Sequence, residues 1–233
     1  MNLRQGDIQL VISDFRTKCN PVDRYTSFDY CYNFFKTTSS SEIQKNLERS
    51  CLTLGFYLAS WGMLRGSSFL LGKSARYYAG VIEYIASLPK DIWLIDVDNY
   101  SSNADQILDI YENVKSHVIE NSNADLTLTT KILLGVFGFI PAYDQYFANS
   151  FREIFQGSCG FRKVNRKSLK CIELFYNENK DTIDNEANNI ETIDFLTGVK
   201  SGIKYPKAKI IDMYGFNKGL KDSRKNDNKI FGN

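Results

Sequence analysis

Apolar residues recur at helical spacing along most of this chain. Ile8, Val11, Ile12 and Phe15 fall on one face of a helix over residues 7–15, and Pro21 closes that segment. Residues 28–35, with Tyr30, Tyr32, Phe34 and Phe35, give a second helix. Ser39 followed three residues later by Glu42 is a helix-opening pattern and predicts a helix from about Ser40 to Trp61. Helical periodicity resumes over residues 67–84. It returns at 105–119, 126–137, 142–155, 166–180, 190–198 and 207–218. Residues 88–99 break the pattern, because Ile92, Leu94, Ile95 and Val97 suit a short strand or an extended loop. The polar stretch 121–125 predicts a hinge, and the Lys-, Asp- and Asn-rich residues 218–233 suggest a fraying end. The fold expected is mainly α. It is a single helical domain over 1–233 with two lobes (about 1–120 and 121–233) around a cleft, and a minor strand near 92–97.

Composition narrows this picture without assigning a function. At 233 residues and 43% hydrophobic content the chain can build a real core. Its 29 basic and 27 acidic residues nearly balance, so any nucleic-acid site must be a local patch. The five cysteines (Cys19, Cys31, Cys51, Cys159, Cys171) are scattered and contain no CxxC pair, and His117 is the sole histidine. Reduced thiols, no metal site and no cofactor are expected. His117 sits in a polar helix and reads as a surface residue. No secretion signal is visible at the N-terminus, and the longest apolar run, residues 51–71, is too polar for a membrane span. The expectation is a cytoplasmic protein without membrane attachment and of open oligomeric state.

Three places carry candidate chemistry. In residues 58–69, Trp61 and Arg65 stand among Gly62, Gly66, Ser67 and Ser68. A planar five-donor fork beside small residues could hold an anion or a polar ring. The same arginine, if held in the core, would simply pair with a buried acid. The basic run Arg162, Lys163, Arg166, Lys167 and Lys170 follows the turn at 157–160, whose free amides plus cations would suit phosphate. A solvated helix start explains it equally. The third place is Lys131 in an apolar helix with Asp144 beyond the turn at Pro141. A desolvated lysine can act as a nucleophile, and a carboxylate at a helix start stays ionised. On bland grounds Lys131 would snorkel to solvent and Asp144 would cap its own helix. The aromatic stretch 23–35 could stack on bases, although packing is its commoner use.

Two resemblances rest on these residues. The blocks Tyr30-Cys-Tyr-Asn-Phe-Phe35, residues 58–70, Pro141-Ala-Tyr-Asp-Gln-Tyr-Phe147 and residues 205–213 resemble a family of uncharacterised bacterial helical proteins, which implies no function. Lys131 followed by Pro141-Ala-Tyr-Asp144 is similar to the Lys…Pro-x-x-Asp element of helix-hairpin-helix DNA glycosylases. That likeness covers residues 126–147. It implies an all-α, two-lobed fold in which Lys131 attacks the sugar C1′ and Asp144 supports base departure. Trp61, Arg65, Ser67, Ser68 and Tyr143 would then line the base pocket, and Arg162, Lys163, Arg166 and Lys167 would bind DNA. The chain departs from that family in the hairpin, where residues 125–130 hold no glycine. The interval from lysine to aspartate is also shorter than usual. The expected function is a DNA glycosylase excising a modified base, as in phage defence. The alternative is a non-enzymatic helical binding or regulatory protein.

Overall fold

The computed structural model describes residues 5–120 and 125–231, with side chains described over 7–120 and 125–225. The hinge expected at 121–125 therefore lies, apart from Asp125, outside the described residues. The fold is mainly α with one small sheet. The α-helices are α1 (Gln5–Arg16), α2 (Ser27–Thr37), α3 (Ser40–Lys45), α4 (Leu47–Ser60), α5 (Ala79–Ser87), α6 (Tyr100–Val118), α7 (Leu126–Phe137), α8 (Gln145–Ile154), α9 (Arg166–Glu178), α10 (Lys180–Asn189) and α11 (Lys207–Phe231). Strands β1 (Glu191–Ile193) and β2 (Lys200–Lys204) pair antiparallel between α10 and α11.

One buried apolar cluster runs from Ile8 and Ile12 of α1 to Phe216 of α11, through Leu54, Ile107, Ile132 and Phe147. α7 is buried along nearly its whole length, its predominantly apolar sequence carrying Thr129, Thr130 and Lys131 into the interior. It packs on α2, α4 and α6, while α11 lies along α8 and α1. Two glycines set this geometry. Gly138 ends α7 in the left-handed region (φ 77°), which only glycine adopts without strain. At Gly219 a β-carbon would fall 2.1 Å from the carbonyl oxygen of Tyr146, so its absence lets α11 touch the start of α8.

Several boundaries correct the sequence reading. The strand expected at 92–97 is instead two short 3₁₀ turns, Lys90–Leu94 and Val97–Asn99. Pro89 opens the first, Asp96 and Asn99 cap the second reciprocally, and Trp93 Nε1 donates to the Val136 carbonyl at 2.9 Å. The helix expected at 190–198 is the β-hairpin. Asp194 Oδ1 accepts from the amides of Leu196 and Thr197, and Gly198 takes a positive φ, so the chain turns instead of coiling. The helix expected from Ser40 to Trp61 breaks at Asn46, the one expected over 67–84 begins as 3₁₀ turns, and that over 166–180 divides at Asn179. α11 stays helical through Phe231. Ser39 does cap α3, accepting from the Glu42 amide at 3.3 Å. His117 is exposed and stacks on Tyr84, and the five cysteines are free and buried. Among the described residues no helix is long and apolar enough to cross a membrane.

Candidate active site

Lys131 and Asp144 meet. Lys131 lies mid-way along α7 and is only 4% exposed. Asp144 is the N-cap of α8, reached by the extended turn through Pro141. Its Oδ1 accepts from the amides of Tyr146 and Phe147, both at 3.0 Å, which leaves Oδ2 facing Lys131 Nζ at 3.7 Å. Lys131 Nζ donates to the Trp61 carbonyl at 2.9 Å. Tyr57 OH donates to the Lys131 carbonyl at 3.0 Å, tying α4 to α7 at this point. The snorkelling expected of a structural Lys131 does not occur. The capping role of Asp144 does, and it coexists with the pairing.

Electrostatics here are dominated by burial. Desolvation pulls the Lys131 ammonium below the ordinary lysine range, while Asp144 and Asp212 oppose it. Desolvation likewise raises the Asp144 carboxyl above its ordinary value, against the pull of Lys131 and the two capping amides. Both shifts run toward the neutral forms, against the attraction between the two charges.

A cavity of about 400 Å³ opens above the pair. Lys131, Asp144, Trp61 and Arg65 all line it, together with Arg24, Tyr25, Tyr146, Phe216 and Arg224. The walls come from residues on both sides of positions 121–124 in the chain. Tyr25 and Trp61 lie 5.1 Å apart and Phe216 closes edge-on at 5.9 Å from Trp61, giving an aromatic wall. The Trp61 indole Nε1–H is buried and has no hydrogen-bond partner among the described residues. Beneath the wall lies a second ion pair that the sequence reading missed. Lys209 and Asp212 of α11 are 1% and 2% exposed and pair at 2.8 Å. Lys209 Nζ sits 4.3 Å from the Trp61 ring centre, and Asp212 Oδ1 accepts from the Ala142 amide at 3.0 Å. The signal available in the sequence was a lysine and an aspartate three apart inside the apolar run Ile210, Ile211, Met213.

The remaining sequence candidates fall elsewhere. Arg65 is not a core arginine. It is exposed in the turn after α4, where Gly62 and Gly66 have positive φ. Ser67 and Ser68 do not line the cavity, and Ser68 Oγ instead caps the next 3₁₀ turn. The Tyr143 ring is buried against Phe147 and Phe161, away from the cavity. Arg162, Lys163, Arg166, Lys167 and Lys170 are exposed and follow the C-terminal end of α8. None of them lines the cavity. Arg166 is paired with Asp105 and Lys170 with Glu173. The turn at 157–160 is no ready phosphate nest, because the amides of Gly157 and Ser158 bond the carbonyls of Arg152 and Phe155. In the stretch corresponding to the glycosylase hairpin, Leu126 onward is already α7, and Thr130 Oγ1 accepts from the Tyr143 amide at 2.9 Å. Among the described residues no three His, Cys, Asp or Glu side chains gather as a metal site requires. No family model, curated protein or solved structure matches this chain.

Proposed function

We propose that the cavity is the active site of a base-excising enzyme that cleaves the N-glycosidic bond of a nucleotide in DNA. The observation that carries this reading is the Lys131–Asp144 pair at 3.7 Å on the floor of a cavity of nucleotide size. When the C1′–N bond breaks, the electron pair leaves with the base and positive charge develops on the sugar. A fixed carboxylate at Asp144 stabilises that charge, and its capping bonds hold it without reorganisation. Burial lowers the Lys131 pKa, in the direction of the neutral amine that attack requires. The amine bonds C1′, the ring oxygen departs with a proton, and loss of the remaining amine proton gives an imine. The exposed cations after α8 would hold neighbouring phosphates of the strand.

One observation favours the binding-protein reading instead. Lys131 Nζ and Asp144 Oδ1 each have a structural partner, through Trp61 and through Tyr146 and Phe147 respectively. The two readings separate on activity. Wild-type protein is incubated with DNA carrying a panel of modified bases, and released base is measured. Asp144→Asn keeps the cap but loses the charge, so release should fall by about two to three orders of magnitude with an unchanged helical spectrum. Lys131→Gln should abolish any adduct trapped by borohydride, because only an amine forms the imine. No release by wild type, or full release by Asp144→Asn, rejects the enzyme reading and leaves the cavity as a binding site.

A further inference from the structure

The charge lining the cavity is lopsided. Four cations, Arg24, Arg65, Lys131 and Arg224, face one carboxylate, Asp144. The whole chain is nearly balanced at 29 basic to 27 acidic residues, so this concentration is local. Two other surface cavities lack it. One, between α8 and α11, sets Arg152 against Glu153 and Asp222. The one between α6 and α9 sets Arg166 and Lys170 against Glu173, with both cations already paired.

The three arginines come from separate parts of the chain: the turn before α2, the turn after α4, and α11. Among the described residues none of these three makes an ion pair. Arg49, Arg76 and Arg162 are likewise exposed without an ion pair among the described residues, so what sets the three at the cavity apart is their convergence on one opening. Arg24 is placed only by its stacking over Tyr25 at 4.7 Å. Unpaired guanidinium groups converging on one opening repel one another unless an anion sits between them, and the planar fork of arginine matches the oxygens of a phosphate. Behind them stands the aromatic wall of Tyr25 and Trp61. A ligand that satisfies both halves carries an anion at one end and a flat ring at the other.

We infer that Arg24, Arg65 and Arg224 form a phosphate subsite at the mouth of the cavity, and that the ligand is a nucleotide held by its phosphate there and by its base against Trp61 and Tyr25. This places the phosphate grip on side chains, where residues 125–130 offer no free hairpin amides. The inference rests on the same cavity as the proposed activity but not on the chemistry of Lys131 and Asp144. The phosphate is either that of a free nucleoside 5′-monophosphate or a diester within a strand.

Binding separates these possibilities without any turnover. Tryptophan fluorescence reports on the cavity, because Trp61 lines it while Trp93 is buried with its N–H bonded to Val136. The probes are the four 2′-deoxynucleoside 5′-monophosphates, the matching nucleosides and a single-stranded pentanucleotide. At least one monophosphate, or the pentanucleotide, should change the fluorescence saturably. Its nucleoside should bind at least about tenfold more weakly, the value of one or more charged hydrogen bonds. Arg24→Gln/Arg65→Gln/Arg224→Gln should reduce nucleotide affinity to that of the nucleoside while keeping the wild-type melting temperature, since all three side chains are exposed. Response to monophosphates assigns the free nucleotide, and response to the pentanucleotide alone assigns the strand. Equal affinity for nucleotide and nucleoside, no response to any probe, or unchanged affinity in the triple variant overturns the subsite. Binding that depends on the arginines in a protein that releases no base would retain the subsite and reject only the glycosidic chemistry. Base release that survives the triple substitution would do the reverse.

Discussion

Asp29 shows what burial does to a single residue in this fold. Its carboxylate is fully buried in α2, accepts from Tyr205 OH and from the Ile193 amide at 2.8 Å, and so fastens the hairpin to α2. Arg16 Nη1 donates to the same Tyr205 hydroxyl at 2.8 Å. Desolvation nevertheless raises the Asp29 pKa to about 6, against these hydrogen bonds and the charges of Arg16 and Lys209. Between pH 4 and 6 the folded state therefore holds a proton that the unfolded chain has lost. The contribution of Asp29 is fully present below pH 4 and declines as pH rises towards 6. Asp96, also raised to about 6 by burial, behaves the same way, so the informative quantity is a difference between proteins. Urea unfolding of wild type and Asp29→Asn over pH 4–7 should show wild-type stability falling relative to the variant. The change should be at most roughly 3 kcal/mol. Parallel curves would contradict the assignment. Residues of this kind were hard to read from sequence. Lys131 and Asp144 were visible because a lone charge in an apolar run and an acid after proline both stand out. Asp29 sits in a segment already rich in tyrosine and polar tips, and its partner Tyr205 is 176 positions away.

At the level of elements, the contact between α8 and α11 decides the shape of the cavity. Gly215 and Gly219, four residues apart, lie on one face of α11. A β-carbon at 215 would come within 2.5 Å of the Phe147 ring, and one at 219 would strike the Tyr146 backbone. Asp144 and Tyr146 at the start of α8, and Leu220 and Arg224 of α11, line the cavity from the two sides of this crossing. Gly219→Ala should gain about 1 kcal/mol of helix propensity and still destabilise, since overpacking costs about 1–3 kcal/mol and a backbone atom cannot rotate aside. Chemical denaturation gives the sign directly, and a more stable variant would show that the two helices separate freely here. The same displacement should weaken nucleotide binding. Helix identity was largely legible because most helices carry an apolar face. The misread segments are those where local hydrogen bonding overrides periodicity. Asp96 binds the amides of Lys207 and Ala208 at 2.7 and 2.9 Å, so residues 92–97 serve the start of α11 and form no ladder. At the hairpin, Asp194, Gly198 and Gly202 (φ 82°) set turns that an apolar count along 190–198 does not register.

For the whole molecule the question is how two positive regions divide their work. The cavity mouth gathers Arg24, Arg65 and Arg224, and the segment after α8 presents Arg162, Lys163 and Lys167, which make no ion pair among the described residues. None of these last three lines the cavity, so a free nucleotide held there is bound without them, whereas a longer strand has further phosphates to offer. Reversing Arg162, Lys163 and Lys167 to glutamate should therefore leave mononucleotide binding intact. It should weaken binding of a duplex or long single strand and lower the slope of log affinity against log salt by up to about 3, near 0.9 for each lost phosphate contact on duplex. Arg166→Glu alone should change less, because its guanidinium is already engaged by Asp105. The two regions are thereby assigned by ligand length. If the triple reversal leaves long-strand affinity and its salt slope unchanged, those cations are a solvated helix start. The nucleotide taken by the cavity is then either free or held by a strand that lies elsewhere on the surface.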